Sequence, residues 1–316
     1  MKIFRSPSEV PADFAPSVIT IGNFDGVHIG HRQIMRRVVQ LAREMDAQPV
    51  VLTFDPHPAR VLAPDRAPRL LMTLDQRLRE MEVEGIEAVL LIPFSLDFAK
   101  LTPEEFVEQT LAGKLKARAV LVGDDFRFGC RQSGNIDTLR ELGRKHGFAL
   151  EAVPGIEHNR NRVSSTLVRE LVKQGQVSRA CRLLGAPFSL EGNVVAGQGI
   201  GSKQTVPTLN LAAESEVLPK TGVYVTSTRD LESPRRWPSI TNVGYRPTFD
   251  GTSLTIETFL LEPLTGATPA RIGVRFLTFL RDERRFETPE ALKAQIMHDI
   301  GVANRLHRRL TRLHVG

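Results

Sequence analysis

Ser17-Val18-Ile19-Thr20-Ile21-Gly22-Asn23-Phe24-Asp25-Gly26-Val27-His28-Ile29-Gly30-His31 is the stretch that decides how this chain begins to fold. S-V-I-T-I reads as a buried parallel strand, and from about position 32 to 44 Ile34, Val38 and Leu41 mark one helical stripe. The turn between them therefore faces the C-terminal edge of a sheet. At such an edge, helix N–H groups without intrahelical partners point outward, and their partial positive charge favours anions such as a nucleotide's phosphates. Gly22, Gly26 and Gly30 let backbone approach a ligand closely, or simply mark turns. His28 and His31 lie three apart and share a helical face if both occupy the first turn. Imidazoles there can donate to phosphate oxygens and stabilise charge on a leaving pyrophosphate. The bland alternative for H-x-G-H is a pair of polar cap residues and a turn. Neither G-x-x-x-x-G-K-[ST] nor G-x-G-x-x-G occurs at this turn.

The same grammar continues outward. Residues 50–54 form a strand ending in Asp55-Pro56-His57-Pro58, whose prolines impose extended backbone. Helix 74–84, strand 88–92 and helix 102–111 follow, with Pro103 in that helix's first turn. Strand 119–122 leads into Gly123-Asp124-Asp125-Phe126-Arg127-Phe128-Gly129, then helix 136–147 and strand 149–153. Repeated β–α units predict a mostly parallel sheet with its functional crevice beyond the strands' C-terminal ends. Val163-Ser164-Ser165-Thr166-Leu167-Val168-Arg169 opens another helix, whose hydroxyls can cap N–H groups or touch phosphate. Arg169 can reach an anion or serve as a surface ion-pair partner. After about Pro187 the pattern changes to short strands at 190–195, 222–228, 239–243, 254–261 and 271–280, punctuated by glycine and proline, with a helix over 289–315. This predicts an antiparallel or mixed barrel beginning near Ala186, joined by a short connection.

At 316 residues the chain has room for two cores. Hydrophobic residues make up 41% and charged residues 25%, which excludes a disordered or fibrous class. Positions 1–16 hold charges and three prolines rather than the apolar block of a signal peptide, and no apolar run approaches the roughly twenty residues that span a bilayer. Cys130 and Cys181 offer neither metal spacing nor a disulfide framework, which fits a reducing cytoplasm. A net charge of +6 raises the question of nucleic acid. The excess lies in short stretches such as Arg36-Arg37 and 305–312, and Phe outnumbers Tyr and Trp 16 to 2 and 1, which suits cores better than a base-stacking platform. Small anionic ligands are thus expected as partners, without nucleic acid or membrane.

Taken together, segments 22–31, 54–58, 123–129 with Arg131 and Gly134, 164–169, 197–210, 218–224, 242–249, Glu257 and 274–283 resemble the prokaryotic bifunctional riboflavin kinases/FMN adenylyltransferases. The resemblance covers nearly the whole chain. It implies an α/β architecture: a Rossmann-like nucleotidyltransferase domain over 1–185, then a riboflavin-kinase-like β-barrel with a C-terminal helix over 186–316. The first domain would transfer AMP from ATP to FMN, giving FAD and pyrophosphate; the second would phosphorylate riboflavin with ATP. By resemblance, His28 and His31 hold the ATP phosphates, with Gly22, Asn23, Phe24 and Gly30 shaping the loop and Ser164, Thr166 and Arg169 closing on the nucleotide. Phe54, Asp55, Pro56, Asp125, Phe126 and Phe128 line the FMN side, although core packing accounts equally for Phe54 and Phe126. In the barrel, Gly197, Gly199, Gly201 and Lys203 form a nucleotide loop, Thr208 and Asn210 hold Mg²⁺, and Glu257 accepts the riboflavin hydroxyl proton. An outward-facing glutamate would be ordinary in T-I-E-T-F without that match.

Several positions depart from the family pattern. Lys203 replaces a common arginine, Gln204-Thr205-Val206 a leucine-glycine-phenylalanine approach, Leu209 an alanine and Phe259 a histidine, while Glu262 falls near a usual aspartate. The first keeps charge but loses the guanidinium fork. A monofunctional adenylyltransferase with an inactive flavin-binding barrel, a non-catalytic flavin-binding or flavin-sensing protein and a nucleotidyltransferase with another acceptor all stay open at this point, as does the oligomeric state.

Overall fold

The computed structural model describes residues 1–158, 161–195, 208–248, 251–284 and 286–314. The chain divides into two compact units, Met1–Ser165 and Thr166–Gly316. The first contains β1 (Lys2–Phe4), β2 (Ser17–Ile21), α1 (Ile29–Glu44), β3 (Gln48–Phe54), α2 (Pro58–Leu62), α3 (Leu74–Val83) and β4 (Ala88–Ile92). It continues with α4 (Pro103–Phe106), which runs on as a π-helical segment over Val107–Lys114, β5 (Ala117–Gly123), α5 (Ile136–His146), β6 (Ala149–Val153) and the small hairpin β7 (Glu157–His158) and β8 (Asn161–Arg162).

β1 to β6 form a parallel sheet in the order β1-β4-β3-β2-β5-β6. Strand alternation explains its two cores. Ile19, Ile21, Val50, Leu52, Leu90 and Val120 face the helical segments carrying Phe106, Leu111 and Leu139. Val18, Val51, Val89 and Leu121 face Met35 and Val38 of α1 and Leu78 and Met81 of α3. Each fully buried aliphatic side chain contributes roughly 1.5–3 kcal/mol, which is why these strands read as apolar runs. The chain leaves β2 toward β3 on one side and returns to β5 on the other. The switch point therefore lies between β2 and β5, beyond their C-terminal ends.

The second unit begins within α6 (Ser165–Lys173) and α7 (Val177–Leu184). Then come β9 (Ser189–Val195), β10 (Thr208–Ala213), β11 (Gly222–Asp230), β12 (Arg236–Thr248), β13 (Gly251–Leu260), β14 (Arg271–Arg281) and α8 (Pro289–His314). Among the described residues these six strands close an antiparallel barrel in the order β10-β13-β12-β11-β14-β9. β10 is the strand missing from the sequence expectation. Val223, Val225 and Ile240 face outward against Ala303, Ile300 and Leu306 of α8, so this basic helix covers the barrel. The alternate residues face inward, where Thr226, Thr228, Ser239, Thr241 and Thr258 are all fully buried. Their hydroxyls form one chain, with links of 2.8 Å from Thr226 to Ser239 and Thr241, 2.8 Å from Thr228 to Ser239 and 2.9 Å from Thr241 to Thr258. A barrel interior can hold these polar groups because each finds a partner.

Candidate functional site

In the α/β unit, α1 starts at Ile29, three residues before its apolar stripe becomes legible, with His28 as its N-cap. His28 Nδ1 accepts the His31 backbone N–H at 3.3 Å. The two imidazoles stack with centroids 3.6 Å apart and planes 16° apart, and the Phe24 ring meets His31 edge-on at 5.1 Å. Gly30 makes room for this: a Cβ there would lie 3.2 Å from His28 Cε1 and Nδ1. Burial pulls His28 down to about 4, and His31 falls well below the ordinary imidazole value through burial first, then His28 and Arg32. Both rings are therefore neutral near pH 7. His31 Nδ1 and Asn23 Oδ1 are buried without hydrogen-bond partners among the described residues.

The loop leading to this pair takes left-handed backbone at Phe24 (φ 50°), Gly26 (φ 84°) and Val27 (φ 39°). Such a conformation costs a non-glycine residue on the order of 1–3 kcal/mol and persists only when its surroundings hold it. Those surroundings are explicit. Phe24 and Val27 are buried, and the Asp25 carboxylate accepts Leu71 N–H at 2.9 Å and Met72 N–H at 3.2 Å. The Ser165 hydroxyl donates to the Asp25 carbonyl at 2.8 Å. Asp25 is thus an anchor that the sequence reading left without a role; an acid inside a glycine turn was its only signal.

Phe54, Phe126 and Phe128 do come together, but through residues the sequence reading missed. Phe54 meets Phe94 at 5.6 Å and Phe98 at 6.1 Å; Phe98 meets Phe106 at 6.0 Å; Phe106 meets Phe128 at 5.9 Å; and Phe126 stacks on Phe128 at 5.5 Å. These rings link the ends of β3, β4 and β5 in one aromatic wall. Asp55 and Pro56 follow Phe54 at the end of β3. Asp125 is exposed, with Arg162 3.2 Å away, and Arg162 also pairs with Asp124. Ser164 closes the first unit beside Ser165, whereas exposed Thr166 and half-buried Arg169 belong to the second unit.

In the barrel, register brings the candidates together. Glu257 of β13 lies opposite Asn210 of β10 on one side and Asn242 of β12 on the other. Phe259, two residues on, lies between Thr208 and Ile240. Paired residues share a face, so all six point outward, away from the hydroxyl chain. A cleft of about 800 Å³ opens there, between Thr208, Asn242, Glu257 and Phe259 on the strands and Arg281, Phe286, Leu292 and Ile296 around the start of α8. Glu283 reaches Asn242 Nδ2 at 3.1 Å, and Arg281 is held by Asp299 at 2.8 Å. Leu209, the bulky departure between Thr208 and Asn210, pairs with Thr258 and is buried on the inner face, so its bulk leaves the cleft. Gly197, Gly199, Gly201 and Lys203, with the altered 204–206, lie outside the described residues.

The fold thus presents two units, a parallel α/β sheet and a closed barrel, each with its own cluster of polar side chains. The FAD synthetase family model matches residues 10–167, and the riboflavin kinase model matches residues 184–307. A bifunctional riboflavin kinase/FMN adenylyltransferase of Pseudomonas fluorescens is 36% identical over 97% of this chain and 98% of its own length. The protein of that description from Escherichia coli K12 is 35% identical over 89% and 90% respectively. A solved Streptococcus pneumoniae structure, described as a macrolide-efflux protein, superposes with a TM-score of 0.85 at 28% identity, covering 96% of this chain and 98% of that one. The chain belongs to the bifunctional riboflavin kinase/FMN adenylyltransferase family. No helix among the described residues is long and apolar enough to cross a membrane.

Proposed function

We propose that the barrel phosphorylates riboflavin to FMN and that the α/β unit transfers AMP from a second ATP to FMN, giving FAD and pyrophosphate. The observation that carries this reading is that each family model falls on a unit with its own cluster of polar groups: the stacked His28–His31 pair in one, and the Asn210–Glu257–Asn242 rung in the other.

In adenylyl transfer an FMN phosphate oxygen attacks the α-phosphorus of ATP and the bond to pyrophosphate breaks. The nucleophile is already anionic, so alignment and charge stabilisation do most of the work. His28 and His31, fixed at the N-terminus of α1, each offer an N–H to the phosphates. Asn23 and Ser164 complete the nucleotide side within this unit, and the aromatic wall with Asp55, Pro56 and Asp125 receives the flavin.

In the kinase step the riboflavin hydroxyl attacks the γ-phosphorus, Glu257 takes the hydroxyl proton, and ADP leaves. Phe259, Ile240 and Leu292 give the cleft an apolar wall suited to a flavin ring. Thr208 and Asn210 offer neutral oxygen donors on one face of β10, with the Glu257 carboxylate on the adjacent strand. Such hard donors fit Mg²⁺, which favours few protein ligands and shares its coordination with substrate phosphates. Bound there, Mg²⁺ would offset charge on the transferring phosphoryl group. The functional boundary is placed near Ala186, and the cytoplasm is the proposed compartment, supported by the free thiols of Cys130 and Cys181.

The test is a time course of purified protein with riboflavin, ATP and Mg²⁺, resolving riboflavin, FMN and FAD, beside a reaction started from FMN. FMN should rise first and FAD follow. FAD formed only from supplied FMN would remove the kinase assignment.

A further inference from the structure

Arg77 lies in α3, whose start is fixed by a reciprocal cap: Gln76 N–H donates to Thr73 Oγ1 at 3.2 Å, and Thr73 N–H donates to Gln76 Oε1 at 2.9 Å. Its side chain is 3% exposed. Nη1 donates to the Asn23 carbonyl at 2.9 Å, and Nη1 and Nη2 each stand 3.5 Å from the Phe54 carbonyl. Asn23 belongs to the loop after β2, and Phe54 ends β3. One guanidinium therefore spans the loop assigned to the nucleotide and the loop assigned to the flavin. The Thr53 hydroxyl adds a second, longer contact of 3.5 Å to the Asn23 carbonyl.

This is an unusual way to employ a buried cation. Its hydrogen bonds go to neutral carbonyls, Asp55 Oδ1 stands 3.9 Å from Nη2, and Nε is buried with no hydrogen bond among the described residues. Burial draws the guanidinium below its ordinary value, opposed by Asp25 and Asp55. An apolar side chain of similar length would pack here without that desolvation cost. What only arginine supplies is a planar fork that reaches two acceptors in fixed geometry. The loop it braces is also the one that carries Phe24 and Val27 at positive φ.

We infer that Arg77 is a positioning residue for adenylyl transfer, holding the nucleotide and flavin loops at the separation that lines up the FMN phosphate with the ATP α-phosphorus. The inference rests on the assignment of those two loops under the proposed function. Misplacement by about 1 Å at such a junction is enough to cost about 100-fold in rate.

The experiment compares full-length Arg77→Lys and Arg77→Met with wild type. It measures kcat and KM for ATP and FMN in FAD formation, thermal melting, and riboflavin phosphorylation as an internal control in the other unit. Lysine keeps the charge on a single donor nitrogen but not the planar fork. Arg77→Lys should melt cooperatively, phosphorylate riboflavin as wild type does, and lose roughly 10- to 100-fold in kcat for FAD formation. Arg77→Met should lose at least as much. If Arg77→Met does not fold, Arg77→Lys alone decides. A folded Arg77→Lys within twofold of the wild-type kcat overturns the inference, as does lowered stability with kcat per folded molecule unchanged. His31→Ala is run in parallel: if that variant makes FAD at the wild-type rate, the loop assignment itself is wrong, a failure separate from that of Arg77.

Discussion

His28 and His31 meet because they are three residues apart on one capped helix, whereas Asn210, Glu257 and Asn242 meet because three separate strands are paired in one register. The first arrangement is local and stored in backbone: left-handed residues at 24, 26 and 27, held by Asp25 and buried side chains. The second is non-local, and any slip of one strand by one residue would turn Glu257 into the barrel interior. A local site should thus tolerate distant damage and fail by losing its anchors, while a register site should fail when pairing fails.

The sharpest way to break this contrast is Gly192→Ala in β9. A Cβ there would lie 1.9 Å from the Ala212 carbonyl oxygen, a backbone atom of the neighbouring strand. The clash should cost more than about 3 kcal/mol of barrel stability, above the usual range for overpacking because no side chain can move aside. Riboflavin phosphorylation should fall to background while FMN is still converted to FAD. Calorimetry and the two assays check this.

Next in size is Glu257→Gln, which keeps the shape of the rung and removes the base. Riboflavin phosphorylation should drop about 10²- to 10⁴-fold in kcat, with FAD formation from FMN unchanged.

A pH titration probes the local site. Because His28 sits at about 4 in the folded chain against 6.5 unperturbed, the unfolded chain binds more protons in that window. Stability should therefore be complete above pH 6.5 and fall as the pH drops toward 4, by up to about 3 kcal/mol from His28. His31 shifts in the same direction. His28→Asn keeps a capping side chain, so the melting temperature of that variant should decline less over this window.

Smallest is Phe98→Ala, which removes the ring joining Phe54 to Phe106. Each lost ring pair is worth about 0.5–1.5 kcal/mol, so KM for FMN should rise several-fold while KM for ATP stays near wild type.

The sequence made some of this legible and hid the rest for physical reasons. β2 to β5 were readable because strands covered on both faces are largely apolar runs, whereas β6 is a partly exposed edge strand carrying Glu151; 88–92 and 149–153 match their predicted bounds. β1 is three residues long with little burial, and β10 carries the residues that the family resemblance assigns to Mg²⁺, which hides its role in closing the barrel. The start of α1 was hidden by H-I-G-H, in which glycine masks a helical turn. Glu257 and Asn242 were visible as residues, but only register reveals that they share a rung. Phe94 lies in the loop after β4, Phe98 in a short 3-10 turn and Phe106 at the end of α4, and Arg77 on an ordinary amphipathic helix, so no single helix or strand pattern marks either the aromatic wall or the brace. Aromatic residues recurring just after strand ends were the one available hint.

The most direct measurement of the central claim, two independent sites on one chain, is complementation. His31→Ala and Glu257→Gln are assayed for FAD formation from riboflavin, ATP and Mg²⁺, singly and as an equimolar mixture. His31→Ala should stop at FMN, Glu257→Gln should leave riboflavin untouched, and the mixture should restore FAD. FAD made by either variant alone at the wild-type rate, or a mixture that stays inactive, would contradict the account.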